Sequence, residues 1–296
     1  MSQKREGPVD GWSEADSATF IDYGRYYAPE RELQIATVCG LIPPPSGPGP
    51  AYIVELCSGE GLLSRALLEA HPNALLHAYD GSPRMLEATR RSAGALGDRL
   101  TTHAFDLAAG DWRGFDWPLQ AVVSSLAVHH LDGPQKSRLY ADMAVALAPG
   151  GALVIADLVA PAGALAVKLA AETWDEEVRR RSMALDDGLA AFVQFRDDNW
   201  NFFSDPEPDP VDKPSALYDQ LRWIEAAGLV EVDVYWMKAG HAIFGGRKPA
   251  GRGGGLRRAT VRLDRLRPDR AARHPPVAPA PPPATRLGRG RRSCSP

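Results

Sequence analysis

Apolar positions between residues 51 and 159 fall into short unbroken runs, separated by stretches with helical spacing. The run "AYIVELC" (51–57) predicts a strand, and Leu62, Leu63, Ala66, Leu67 and Ala70 then recur at the period of a helix. "NALLHAYD" (73–80) predicts the next strand. Ser82 then caps a helix, with Pro83 in its first position. "LTTHAFD" (100–106) and "LQAVVSSLAV" (119–128) predict strands three and four. Pro134 opens a helix whose apolar face is Leu139, Met143, Ala146 and Leu147, and "PGG" (149–151) turns into a fifth strand, "ALVIADLV" (152–159). Strands that are apolar on both faces and alternate with helices predict an α/β, doubly wound parallel sheet.

The end of this region departs from the alternation. A helix, "SALYDQLRWIEAAG" (215–228), precedes two strands, 229–237 and 241–248, joined by a tight Gly-containing turn. Residues 160–214 are too long for a minimal link and predict a helical cap. Its aromatics (Trp174, Phe195, Trp200, Phe203 among them) are expected to form the cap's own core. Arg179, Arg180 and Arg181 read as a solvated face, the alternative being contact with an anionic substrate. Before strand one, Ile35, Val38 and Cys39 form an apolar helical stripe that predicts packing on the sheet.

Composition changes abruptly after residue 248. Residues 249–296 hold twelve Arg, two Asp and no aromatic residue, whereas residues 1–248 carry 22 Lys and Arg against 35 Asp and Glu. The tail is therefore expected to be a disordered Arg/Pro-rich extension, and 1–248 an acidic folded domain. An acidic body is a poor general binder of nucleic acid, which needs Lys and Arg on its phosphates. Three cysteines (Cys39, Cys57, Cys294) are too few and too scattered for a disulfide framework or a zinc site, so no metal is expected. Without an apolar run long enough to span a bilayer or an N-terminal apolar segment, a cytoplasmic protein with no membrane partner is expected.

The chemistry concentrates at "ELCSGEG" (55–61), the turn between the first strand and helix. Gly59 and Gly61 let a ligand approach the backbone at the carboxyl edge of the sheet. Position 64 is Ser, a partial match to the dinucleotide fingerprint. Asp80 ends the second strand, where a carboxylate accepts ribose hydroxyls of either NAD or S-adenosylmethionine (SAM). Glu55 favours a cationic ligand over a pyrophosphate. Asp106 ends the third strand, placed to accept the adenine amino group, and the closing hairpin does not belong to a six-stranded dinucleotide fold.

Together "VELCSGEG", "HAYDGSPRML", "FDLAAGDW", "AVVSSLAVHHL", "LAPGGALVIADL" and "GHAIFGGRK" resemble the class I SAM-dependent methyltransferases over roughly residues 15–248. The ending further resembles the trans-aconitate methyltransferase and carboxy-SAM synthase-like group. The resemblance implies a seven-stranded sheet of order 3-2-1-4-5-7-6 with the seventh strand antiparallel. It also implies SAM as cofactor, held by Glu55, Cys57, Ser58, Gly59, Gly61, Asp80, Gly81, Asp106, Leu107, Ser125 and Leu126, with Tyr26 in a segment that lids it, the alternative being a packing residue; Arg31 is a candidate clamp for a carboxylate of cofactor or substrate, the alternative being a surface pair with Glu30 or Glu32. Cys57 stands where the family usually has Gly. His129 and His130, just after strand four, are candidate general bases, the alternative being local packing; His241 reads as structural. The expected reaction is methyl transfer to a small, anionic molecule by in-line displacement. The rival readings are an RNA-modifying methyltransferase, a SAM-binding protein without transferase activity and an NAD-dependent oxidoreductase.

Overall fold

The strand at Ala51–Leu56 (β1) lies in the middle of a seven-stranded sheet. The computed structural model describes residues 12–45, 47–205 and 210–250, so the expected tail lies outside the described residues from position 251. The other strands are β2 (Ala74–Asp80), β3 (Leu100–Ala104), β4 (Leu119–Ser125), β5 (Leu147–Leu158), β6 (Val230–Lys238) and β7 (His241–Arg247). Their order is β3-β2-β1-β4-β5-β7-β6. Strands β1 to β5 run parallel, and β7 is antiparallel to both β5 and β6. The expected order and direction are both present.

Successive side chains of a strand point to opposite faces, and here both faces are covered. Val54, Leu56, Val122, Ile155 and Phe244 face one apolar cluster with Leu139 and Met143 of α5 (Gly133–Ala146) and Ile224 of α8 (Leu217–Ala226). Ile53, Val123, Val154 and Ile243 face the other. There they meet Val38 of α2 (Arg31–Leu41) and Leu63 and Leu67 of α3 (Leu62–Ala70). This two-sided burial is why the strands read as continuous apolar runs. Ile35 and Cys39 join the second cluster, as the stripe predicted.

One detail differs from expectation. Strand β5 begins at Leu147, not at 152: Leu147 pairs with Leu119, and a register shift follows. Gly151 lies within it, where a Cβ would stand 2.8 Å from the Leu119 carbonyl oxygen. Ahead of β1 stand two helices, α1 (Glu14–Tyr27) and α2, separated by a bend whose Glu30 has φ 47°. The closing hairpin turns through Ala239 (φ 51°) and Gly240 (φ 73°), the left-handed pair that matches strand twist.

Between β5 and α8 lie α6 (Ala164–Asp186) and α7 (Ala190–Asp197). Trp174, Val178, Phe195 and Phe203 pack there with Tyr26 and Tyr27 of α1, and Trp174 Nε1 donates to the Tyr27 carbonyl at 2.7 Å. The arginine triplet is not one solvated face. Arg179 and Arg180 pair with Glu176 and Glu177, but Arg181 is buried and grips Glu32 (2.8 Å) and the Arg25 carbonyl.

Candidate active site

A cavity of about 460 Å³ opens at the carboxyl edge of the sheet, where β1, β2 and β4 end. The turn after β1 builds its floor. Cys57 (φ 56°) and Gly59 (φ 56°) are both left-handed, which bends the chain sharply and presents the Gly59 N–H. That N–H donates to Asp80 Oδ2 at 2.9 Å, and the Ser82 N–H donates to Oδ1 at 2.9 Å. The Asp80 carboxylate therefore stands fixed on the cavity wall by backbone N–H groups. Burial raises its pKa, against the hydrogen bonds from Ser82 and Gly59.

Gly61 serves packing. It caps α3 at φ 81°, and a Cβ there would lie 2.6 Å from Thr89 Cα of α4 (Pro83–Ala93). Ser58 likewise turns away from the cavity to bond Thr89 (2.9 Å). Gly81, Asp106 and Leu107 line the cavity beside Met85 and Phe105. The Asp106 carboxylate accepts the Ala108 N–H at 2.8 Å, which fixes it on the cavity wall.

Ser125 and Leu126 end β4 on the opposite side, Leu126 at φ 57°. Arg31 reaches them from α2, its Nη1 donating to Ser125 Oγ at 2.7 Å. The side chain is buried and its Nε has no partner. Burial lowers the Arg31 pKa, while Glu60 and Glu55 oppose the change. A desolvated guanidinium with an unfilled donor is a receptor for an anionic group.

Glu55 itself does not line the cavity. Ser64 donates its hydroxyl to the Glu55 carboxylate, which explains Ser at position 64. Burial pushes Glu55 up to about 8, so it does not present the full anionic charge that the sequence suggested. Tyr26 also stands outside: its hydroxyl bonds Asp186 of α6, and Tyr27 is buried against Phe195. Trp12, Phe20 and Glu14 of the N-terminal segment line the cavity in their place. Ser13 and Asp16 form a capping box that fixes where α1 starts, and Trp12 Nε1 donates to Ser17 Oγ at 2.8 Å, which orients the indole.

The two histidines differ. His129 is buried: its N–H donates to Asp157 Oδ2 at 2.7 Å, and Nδ1 lies 2.5 Å from Asp157 Oδ1. Its Nε2 is 3.4 Å from Asp212. Burial alone would lower its pKa, but Asp157 and Asp212 overcome this and raise it to about 10. Asp157 takes both its backbone N–H and its Nδ1, and His129 does not line the cavity, so only Nε2, beside Asp212, is left unfixed. His130 lines the cavity, 5.6 Å between ring centroids from Trp12. His241 is buried with its Nδ1 on the Ala239 carbonyl, a structural role.

Residues 53–151 match a methyltransferase domain model. Over 110 residues the chain is 34% identical to trans-aconitate 2-methyltransferase of Streptomyces coelicolor, which covers 36% of this chain and 34% of that protein. An O-methyltransferase family protein from Burkholderia thailandensis superposes with TM-score 0.54 at 16% identity, over 81% of this chain and 61% of that one. An O-methyltransferase family 2 protein from Planctomyces limnophilus, in complex with apigenin, gives 0.51 at 20% identity, over 78% and 60%. Human N-acetylserotonin methyltransferase, in complex with SAM, gives 0.50 at 10%, over 80% and 57%. The chain thus spans about a third of the curated relative's length and about three fifths of these structures. Residues 53–151 are thus similar to a methyltransferase domain, and the strand order is that of the fold these methyltransferases share.

Proposed function

We propose that this cavity binds SAM and that the protein transfers its methyl group to a small molecule by in-line displacement. The carrying observation is Asp80, a carboxylate fixed by the Gly59 and Ser82 N–H groups on the cavity wall, there to accept the ribose hydroxyls. Asp106 and Leu107 hold the adenine end, with Met85 against the ring. Arg31, steadied by Ser125, takes the amino-acid carboxylate through its unfilled Nε.

The bound cofactor supplies a methyl group on a sulfonium sulfur, open to attack by an oxygen, nitrogen, carbon or sulfur nucleophile. The protein's part is alignment and exclusion of water. Leu126 and Ala127 close the side at the end of β4, and Trp12 and Phe20 form an apolar wall across from them. His130 is the imidazole nearest this space and holds or receives the acceptor's proton. Lys213 also lines the cavity, and with Arg31 it favours an acceptor with a negative charge. The relative named for trans-aconitate points the same way.

Calorimetry with S-adenosylhomocysteine and with NAD tests the cofactor assignment. One-to-one binding of the first and none of the second is expected; the opposite selectivity overturns it. Transfer of labelled methyl groups to a panel of carboxylic acids and neutral phenols tests the acceptor class, with label on the acids expected.

A further inference from the structure

We propose a divalent transition-metal site, of the zinc class, formed by His129 Nε2, His130 Nδ1 and one carboxylate oxygen of Asp212. The three ligand atoms all lie within 4.8 Å of one another. Asp212 Oδ1 is 3.4 Å from His129 Nε2 and 3.2 Å from His130 Nδ1. Ligands about 2.0–2.1 Å from a tetrahedral zinc ion stand about 3.3 Å apart, so these two edges already have the spacing of a coordination shell.

His130 Nδ1 supplies an independent observation. It is shielded from solvent, and its contact with the Asp212 oxygen at 3.2 Å lacks the alignment of a hydrogen bond. A metal ion between the three atoms gives that nitrogen a partner without requiring hydrogen-bond directionality. Two imidazoles and one carboxylate are a donor set suited to zinc, cobalt or iron, not to magnesium or calcium.

The surroundings hold all three ligands in place. Asp157, buried at the end of β5, fixes the His129 ring through Nδ1. A carboxylate on the far nitrogen of a histidine is the usual outer support of a metal ligand. The loop bearing Asp212 is pinned immediately after it, at Lys213 and Ser215. The Lys213 N–H donates to the His129 carbonyl at 2.7 Å. Lys136, whose side chain is buried, donates Nζ to the Lys213 carbonyl and, at 2.9 Å, to Ser215. The Ala160 N–H donates to the Ser215 carbonyl at 3.0 Å. A buried ammonium spent on two loop acceptors is explained if the loop must present Asp212 at one position.

Three protein ligands leave a tetrahedral ion one open position. His130, Val211 and Lys213 all line the cavity, so that position is available to an oxygen donor bound there, such as a carboxylate or hydroxyl of the acceptor. The cysteine count could not reveal the site, since its ligands are two adjacent histidines and an aspartate 82 positions further on in a loop. The metal site stands without the methyl-transfer reading, because the metal alone tests it.

The test is titration of the chelator-treated full-length protein with Co²⁺, followed by visible absorption. One equivalent should bind saturably with the intense d–d bands of a four- or five-coordinate site, and Zn²⁺ should displace it. Asp212→Asn and His130→Gln should each weaken Co²⁺ binding at least tenfold, with circular dichroism and metal-free Tm close to wild type. His71→Gln, at the opposite end of the sheet, should bind as wild type does. Absence of saturable binding overturns the proposal, as does equal binding by wild type and the Asp212→Asn/His130→Gln double variant.

Discussion

Arg31 Nη1 on α2 donates to Ser125 Oγ at the end of β4 at 2.7 Å, tying the N-terminal helices to the centre of the sheet edge. The same guanidinium keeps Nε without a partner in a buried setting. It has more donors than the protein fills. Arg31→Met is expected to raise the Kd for S-adenosylhomocysteine at least tenfold, since hydrogen bonds to charged groups contribute about 1.5–3 kcal/mol. Tm should fall by no more than a few degrees, because an apolar side chain of similar length fills the space. Calorimetry and thermal melts check both. Unchanged affinity would remove Arg31 from the cofactor site, and Ser125→Ala should show the same direction at smaller size.

Asp80 differs from Arg31 in having structural duties as well. Its two oxygens already accept the Gly59 and Ser82 N–H groups. Asp80→Asn replaces one acceptor by a donor facing an N–H and removes the charge. Cofactor affinity should drop by about ten- to a hundredfold, the equivalent of one or two charge-assisted bonds. Equal affinity in wild type and variant would sink the ribose assignment.

The fold was largely legible because both faces of β1, β4 and β5 are buried, which writes continuous apolar runs into the chain. Asp80 and Asp106 were legible because strand ends in such sheets face the ligand edge. Glu55 was legible in position but not in state, since its pairing with Ser64 and its desolvation depend on α3 packing. His129 and His130 were indistinguishable as neighbours. Only the buried Asp157 separates them, and its partner lies 28 residues away. Trp12 and Phe20 were missed because the tyrosines between 23 and 27 carry the stronger aromatic signal, yet those rings face the cap.

Cys57 occupies a left-handed position at φ 56° on the cavity floor. That conformation costs a residue with a Cβ about 1–2 kcal/mol and costs glycine nothing comparable. Burial and the nearby Asp80 and Asp157 push its thiol pKa up, so it acts as a small packed group without nucleophilic character. Cys57→Gly should retain cofactor affinity within a factor of about three, with Tm unchanged or raised; these limits follow from the relief of backbone strain offset by chain entropy. Cys57→Leu should lose binding, because the branched side chain enters the cavity. A Leu variant that binds normally would show that the turn does not form the cofactor floor.

His241 makes stability depend on pH. It is buried on β7 against Trp174, with ring centroids 4.6 Å apart, and its Nδ1–H donates to the Ala239 carbonyl at 2.7 Å. Burial lowers its pKa to about 4. The Ala239 bond and Asp157 oppose that lowering, and His129 adds to it. The unfolded chain, with an ordinary histidine pKa of about 6.5, therefore takes up a proton before the folded chain does. The contribution is complete above about pH 6.5 and is lost as pH falls through the window down to about 4. Its size is on the order of 3 kcal/mol, since each pH step of one between the two pKa values is worth about 1.4 kcal/mol. His241→Asn keeps a donor for the Ala239 carbonyl but cannot titrate. Urea unfolding at about pH 7 and about pH 4.5, the two sides of this window, should show a smaller loss for the variant than for wild type. The difference between the two losses isolates His241 from the carboxylates, which titrate alike in both proteins. Equal losses would mean that His241 takes up its proton without disturbing the hairpin.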